Sequence, residues 1–264
     1  MTDQPTTAEG VAATDLLYHR DAYLQSVEAT VVGADPEARA VALDRTIVYP
    51  GGGGQPHDTG TMTGADGAAW PIDSAKKTGD VVWHTLGGDA PLPAIGDTVT
   101  VTIDWERRYR LMRIHTALHV LCGMIFRDYG ALVTGGNMGT DKARMDFEME
   151  EFNPAIVAEI ERRANAEIAQ ERDTRVNVLP REEAFRVPDL IRTKINLLPE
   201  GIAEIRTVEI VGLDLQADGG THVANTREVK GIKIIGTRSK GKSNKRLELV
   251  LVGGDGDPDP TTYD

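Results

Sequence analysis

The sequence predicts an α+β protein, with a β-rich segment followed by a segment that carries both helices and strands. Three observations carry this expectation. From about residue 16 to 103, short apolar or β-branched runs are separated by Gly, Pro and Asp clusters. At Asp104 the texture changes: residues 105–126 place Leu111, Ile114, Leu118, Leu121 and Ile125 near helical spacing. After a second helical stretch, strand-like runs return.

In chain order, residues 1–13 read as a flexible lead. Strand-like runs follow at 26–32, 40–43, 46–49, 81–86 and 98–103, a spacing that fits a small barrel or sandwich. One loop stands out, Tyr49-Pro-Gly51-Gly52-Gly53-Gly54-Gln55-Pro-His57-Asp58. Asp104 is a plausible N-cap for the first helix. The second helix begins at Asn153-Pro154, Asn as N-cap and Pro in the first turn, and is expected to run to about Arg172. Strand-like runs then fall at 205–211, 232–237 and 247–252. The expected division is a β domain over 1–104, an α+β domain over 105–252, and an acidic, disordered tail over 253–264.

Composition is that of an ordinary globular protein, 40% hydrophobic and 27% charged in 264 residues. No apolar run approaches the roughly 20 residues of a membrane helix. The single cysteine, Cys122, excludes an intramolecular disulfide framework, and the polar N-terminus lacks a signal-peptide layout, so cytoplasm is the expected location. The net charge of −12 argues against a general nucleic-acid binder. The cations are unevenly spread, however. Arg107, Arg108, Arg110 and Arg113 crowd one stretch, and Arg238, Lys240, Lys242, Lys245 and Arg246 another.

His115-Thr-Ala-Leu-His119 places two imidazoles at i and i+4, on one helical face and close enough to share an ion. This is not the zinc-protease motif, which needs Glu directly after the first His; Thr116 stands there. A second element, Asp218-Gly-Gly-Thr-His222, flanks a glycine turn that lets both side chains converge. Two helical histidines with a carboxylate and a histidine from a loop make a four-donor set suited to Zn²⁺. Cys122 lies on roughly the same helical face as His115, but a lone Cys on an apolar helix reads as core.

These motifs resemble a known family. HTALH and GGTHV are similar to the editing domain shared by alanyl-tRNA and threonyl-tRNA synthetases. TIVYPGGGGQPHDTG, DAYLQ and WERRYRLMRIHTALHVL resemble the free-standing alanyl-tRNA editing proteins, the AlaX family, over residues 16 to 252. The resemblance implies a translation-factor-like β-barrel followed by a tRNA-synthetase-type editing domain. It implies hydrolysis of mischarged tRNA(Ala), chiefly seryl-tRNA(Ala) and in some members glycyl-tRNA(Ala).

The family's zinc ligands are two helical histidines, a Cys and a His; matched by motif, the histidines fall on His115, His119 and His222. Asp218 stands where the family has Cys, which makes the site harder and opens it to other divalent ions. Either Asp218 ligates through oxygen, or three histidines and a water hold the ion.

With that function in view, Thr134 is the candidate reader of the serine hydroxyl. Gly51, Gly52, Gly53 and Gly54 with Gln55 are expected at the active site, with His57 nearby. Arg107, Arg108, Arg110, Arg113, Lys240, Lys242, Lys245 and Arg246 are candidate phosphate contacts. Two other readings stand beside this one: a tRNA- or metal-binding relative without turnover, and editing of another aminoacyl-tRNA such as seryl-tRNA(Thr).

Overall fold

A computed structural model of the chain describes residues 10–150, 152–194 and 201–263. Of the expected flexible lead, residues 1–9 lie outside these. The chain divides into two compact units, Met1–Gly52 with Pro56–Tyr109, and Gly53–Gln55 with Arg110–Asp264. The α+β class holds.

In the first unit, β1 (Asp15–Leu16) pairs in parallel with the short β4 (Arg45–Thr46). Six further strands close a barrel: β2 (Ser26–Asp35), β3 (Ala40–Leu43), β5 (Gly60–Gly64), β6 (Ala69–Thr78), β7 (Val81–Leu86) and β8 (Thr98–Ile103). They run in the order β2-β3-β7-β6-β5-β8, and β8 returns to β2. Closure removes every exposed edge. Alternate residues point inward, so Trp70 and Ile72 of β6 join Val41, Leu43, Met62, Val99 and Val101 in one core. The 46–49 run is strand only at Thr46; Ile47, Val48 and Tyr49 are buried as a loop.

A buried polar cluster sits within this barrel. His84 Nδ1 lies 3.2 Å from the Val41 carbonyl, which can only accept, so Nδ1 carries the proton. Nε2 then accepts from the Thr46 hydroxyl at 2.8 Å. Burial pushes the His84 pKa down to about 4, against a smaller opposing effect of the Val41 hydrogen bond. The unfolded chain therefore binds this proton near pH 6.5 and the folded one only near 4. Stability from His84 is complete above about pH 6.5 and should fall by about 3 kcal/mol between pH 6.5 and 4. Unfolding of wild type and His84→Gln across that window checks this: the difference between them should close as pH falls.

α1 (Trp105–Tyr129) starts where Asp104 Oδ1 accepts the Arg107 N–H at 3.1 Å, so Asp104 caps it as expected. The sequence shows an apolar stripe, yet every residue from 111 to 125 is buried. A helix enclosed on all sides must bury its polar side chains too, which puts His115, Thr116 and His119 in the interior.

The rest of the second unit holds a four-stranded and a three-stranded sheet. β9 (Val133–Met138), β10 (Ala143–Glu148), β14 (Gly231–Ser239) and β15 (Asn244–Val252) run in the order β14-β15-β10-β9. β11 (Thr174–Pro180), β12 (Glu204–Ile210) and β13 (Asp214–Ala217) run in that order. α2 (Pro154–Ile168) is capped by Asn153 Oδ1, which accepts the Ile156 N–H. It ends short of the expected Arg172, because Glu171 takes a left-handed φ of 53° and turns the chain. A single turn, α3 (Arg181–Ala184), packs Ala184 with Leu190 and Ile205.

The acidic tail departs from expectation. Asp257 accepts from Arg113 Nη1 and Nη2 at 2.9 and 2.7 Å and from the Gly254 N–H at 2.7 Å. With the Asp257 side chain 1% exposed, residues 254–257 are anchored by a buried ion pair rather than disordered. The described residues contain no helix long and apolar enough to cross a membrane.

Candidate metal centre

His115, His119, Asp218 and His222 each offer a ligand atom, and these atoms all lie within 4.8 Å of one another. The three histidines are buried and Asp218 is nearly so. The helix supplies two imidazoles one turn apart. The loop after β13 supplies the others, because Asp218 Oδ2 accepts the Gly220 N–H at 2.6 Å and closes a tight turn. His222 Nε2 lies 3.1 Å and His115 Nε2 3.5 Å from the Asp218 carboxylate. Ligands on a tetrahedral zinc with bonds of about 2.0–2.1 Å are separated by about 3.3 Å, so these spacings fit a small divalent ion.

Groups around the cluster orient the rings. Gln55 Oε1 accepts the Thr221 N–H at 3.1 Å, and Gln55 Nε2 donates to Thr221 Oγ1 at 2.8 Å. This fixes the amide orientation, so His115 Nδ1, 3.0 Å from Oε1, must be the donor. His115 Nε2 is left with its lone pair facing inward. His222 Nδ1 lies 3.2 Å from Thr116 Oγ1, which also accepts the Val223 N–H. Asp214 Oδ2 approaches His119 Nδ1 to 3.2 Å. Every imidazole thus has its Nδ1 turned to an outer group, the usual way a metal's histidines are held.

The electrostatics favour the ligand forms of His115, His222 and Asp218, and the protonated form of His119 until an ion displaces its proton. Burial holds His115 well below its ordinary pKa, and the neighbouring His222 adds to this. Burial likewise pushes His222 down to about 4, partly offset by its Asp218 hydrogen bond. Burial raises the Asp218 pKa, but the imidazoles around it outweigh that and hold the carboxyl well below the usual range. For His119, burial acts downward, and the Asp214 and Asp218 carboxylates reverse it to a net rise. Neutral imidazoles and an ionised carboxylate are what a cation needs.

The other expected site residues fare differently. Gly51, Gly52, Gly53 and Gly54 all have positive φ, from 58° to 136°, so only glycine serves this loop without strain. Gly54 O accepts the Met138 N–H at 3.1 Å, and Gln55, a catalytic candidate from the sequence, holds His115 Nδ1 at 3.0 Å. His57 is half-buried, with Nδ1 2.9 Å from the Asp58 carbonyl. Thr134 is exposed on β9 and donates to Asn244 Oδ1 at 3.1 Å, so its hydroxyl is engaged by a side chain outside the cluster. Cys122 is buried core, and burial pushes its thiol pKa up.

The basic residues need correction. Arg108 is fully buried against Asp58 and the carbonyls of Ala22 and Ile47. Arg113 is buried on Asp257, Glu228 O and Val229 O. Lys245 is buried and donates to Ser239 Oγ, Gly241 O and Lys242 O, tying the β14–β15 turn. These three hold the fold and are not free for phosphate. Arg107 binds His57 O, and Arg110 binds Thr140 O and Gly256 O. Lys240 and Arg246 converge on Asp146. Arg238 and Lys242 stand exposed on the hairpin.

The sequence flags the Gly219-Gly220 turn, but not the roles of Thr116, Asp214 and Thr221. Thr116 directly follows His115, and that adjacency is its local signal. Asp214 opens β13 and precedes Asp218, the residue just past that strand, by four residues, or two strand repeats, which keeps both on one face.

Comparison with known proteins identifies relatives of both units. Residues 205–248 match the threonyl and alanyl tRNA synthetase second additional domain, and residues 15–107 match the class II (A) tRNA synthetase model. An alanyl-tRNA editing protein AlaX-M of Methanosarcina barkeri is 41% identical over 242 residues, which are 90% of this chain and 99% of that protein. The AlaX-M of Saccharolobus solfataricus is 38% identical, again across 90% and 99%. An alanine–tRNA ligase of Ignicoccus hospitalis is 39% identical over 249 residues, only 26% of its own length. Matched over 90% of its length by AlaX-M proteins that it covers to 99%, the chain belongs to the AlaX family of alanyl-tRNA editing proteins.

Proposed function

We propose that this protein is a trans-editing aminoacyl-tRNA deacylase. It hydrolyses the ester of mischarged tRNA(Ala), chiefly seryl-tRNA(Ala) and also glycyl-tRNA(Ala), with a bound divalent ion, zinc in the first instance. The observation that carries this is the convergence of three ring-oriented imidazoles and Asp218 within 4.8 Å, in a chain of the AlaX family. The barrel is read as translation-factor-like, and the protein is expected to act in the cytoplasm.

His115, His119, Asp218 and His222 would hold the ion. When bound, it supplies a Lewis acid or a template at the ester. The protein's own residues do the rest. Gln55 and Thr116 fix the ring planes, so no reorientation is needed when substrate arrives. The glycine loop brings main chain, not side chains, beside the cluster at Gln55. Rejection of alanine follows if the pocket hydrogen-bonds the serine hydroxyl, since alanine would leave that group unpaired.

The test is deacylation of Ser-, Gly- and Ala-tRNA(Ala) and Ser-tRNA(Thr) by metal-quantified protein, with and without chelator. We expect hydrolysis of Ser-tRNA(Ala), sparing of Ala-tRNA(Ala), and loss on chelation with recovery on adding zinc. Full activity in metal-free protein would refute the metal's role; no turnover of any substrate by zinc-loaded protein would refute the enzyme.

A further inference from the structure

The outer group on His119 differs from the other two. Gln55 and Thr116 are neutral, whereas Asp214 brings a carboxylate into the interior, its side chain 0% exposed. Isolated burial of such a group is costly unless donors surround it. Donors do surround it. Gln216 Nε2 donates to Asp214 Oδ2 at 2.6 Å, and Arg192 Nε lies 3.4 Å from Oδ1. The Arg192 guanidinium carbon itself lies 3.9 Å over the centre of the Phe126 ring.

The helix makes room for this carboxylate. Gly123 lies on α1, one turn after His119, and a Cβ there would come within 2.7 Å of the Asp214 Cβ and 3.0 Å of Leu213 O. The turn carrying Asp214 can approach the helix only because residue 123 has no side chain. His119 Nδ1 is buried and, among the described residues, has no aligned hydrogen-bond partner; Asp214 Oδ2 at 3.2 Å is the acceptor within reach.

We propose that Asp214 is a positioning residue of the metal centre, which accepts the Nδ1 proton of His119 and so keeps the Nε2 lone pair directed at the ion. Carboxylate–histidine–metal arrays fix the ring tautomer and raise ligand basicity. Arg192 and Gln216 complete the array by fixing the carboxylate. The inference rests on the metal reading above, but its first test does not need the ion.

Asp214→Asn keeps the shape and reverses the chemistry. Arg192 offers only donors, whereas the Gln216 amide that donates to Oδ2 can turn to present its oxygen, so the asparagine oxygen stays on the Arg192 side. Its NH₂ then takes the Oδ2 position and faces His119. Nδ1 meets a donor and becomes the acceptor, and the ring proton moves to Nε2, where it blocks ligation. In metal-free protein at alkaline pH, where the His119 ring is neutral despite the carboxylates that raise its pKa, ¹⁵N spectra of the histidine rings should show the His119 proton on Nδ1 in the wild type and on Nε2 in Asp214→Asn.

In competition with a chromophoric chelator, the variant should bind Zn²⁺ about 10–100-fold more weakly, with far-UV circular dichroism unchanged. An Nε2 proton on His119 in the metal-free wild type, or an unaltered tautomer and zinc affinity in the variant, would overturn the proposal. Wild-type protein that binds no zinc would count against the metal reading alone, because the tautomer measurement still decides the role of Asp214.

Discussion

Replacing Gly220 by Ala should cost as much bound metal and as much turnover as replacing His115 itself. A Cβ at Gly220 would lie 2.4 Å from His115 Cε1, 2.6 Å from His115 Nδ1 and 2.6 Å from Gln55 Oε1. Neither neighbour can retreat. His115 is locked in the buried stretch of α1, and Gln55 is held by two hydrogen bonds to Thr221. The new methyl therefore displaces the His115 ring or the loop that carries Asp218 and His222. Displacements of about 1 Å at a ligand set cost on the order of 100-fold. Backbone strain is not the cause, since Gly220 does not sit at positive φ.

Gly219 gives the matched control. It has nothing within 4 Å of its would-be Cβ and no positive φ, so Gly219→Ala should bind metal as wild type does. Metal content after gel filtration, beside deacylation rates, reads both variants. A Gly220→Ala protein with full metal and full activity would show that His115 is not held as described.

Loss of Arg108 should be the most destabilising single change in the barrel unit, at about 3–5 kcal/mol. Arg108 and Asp58 are both 0% exposed. Arg108 Nε lies 3.0 Å from both Asp58 oxygens, Nη2 also donates to Oδ2, and the guanidinium reaches the Ala22 and Ile47 carbonyls. Asp58 further accepts the Tyr49 N–H at 2.6 Å, just before the glycine loop. Arg108→Met would leave that carboxylate buried without its cation, and two carbonyls without a donor. Arg108→Lys should recover only part, since a single ammonium cannot reproduce the fork.

Urea unfolding of Arg108→Met and of the double variant Arg108→Met/Asp58→Leu measures this. The double variant should be the more stable of the two, because it no longer buries an unpaired charge. If Arg108 were instead a phosphate contact, Arg108→Met would leave stability unchanged and reduce the salt dependence of tRNA binding.

Sequence alone determined the chemistry of the centre and the texture of its surroundings. The i, i+4 pair His115 and His119 is a local feature of one helix, and Asp218-Gly-Gly-Thr-His222 a local feature of one turn, so both were legible from spacing. The Asp104 and Asn153 caps were legible for the same reason. Polar strands were not: β5, β6, β9 and β11 carry glycines, lysines or exposed polar residues, β10 alternates Arg144, Asp146 and Glu148 with apolar residues, and pairing rather than propensity makes them strands.

Only the tertiary structure decided which charges are free. Arg107, Arg108, Arg110 and Arg113 are identical in kind, yet Arg108 and Arg113 are buried ion-pair members, and the partners, Asp58 and Asp257, lie 50 and 144 residues away. No local pattern encodes a partner at that distance. The same holds for Asp214, Thr116 and Gln55, whose roles exist only once folding brings each against an imidazole.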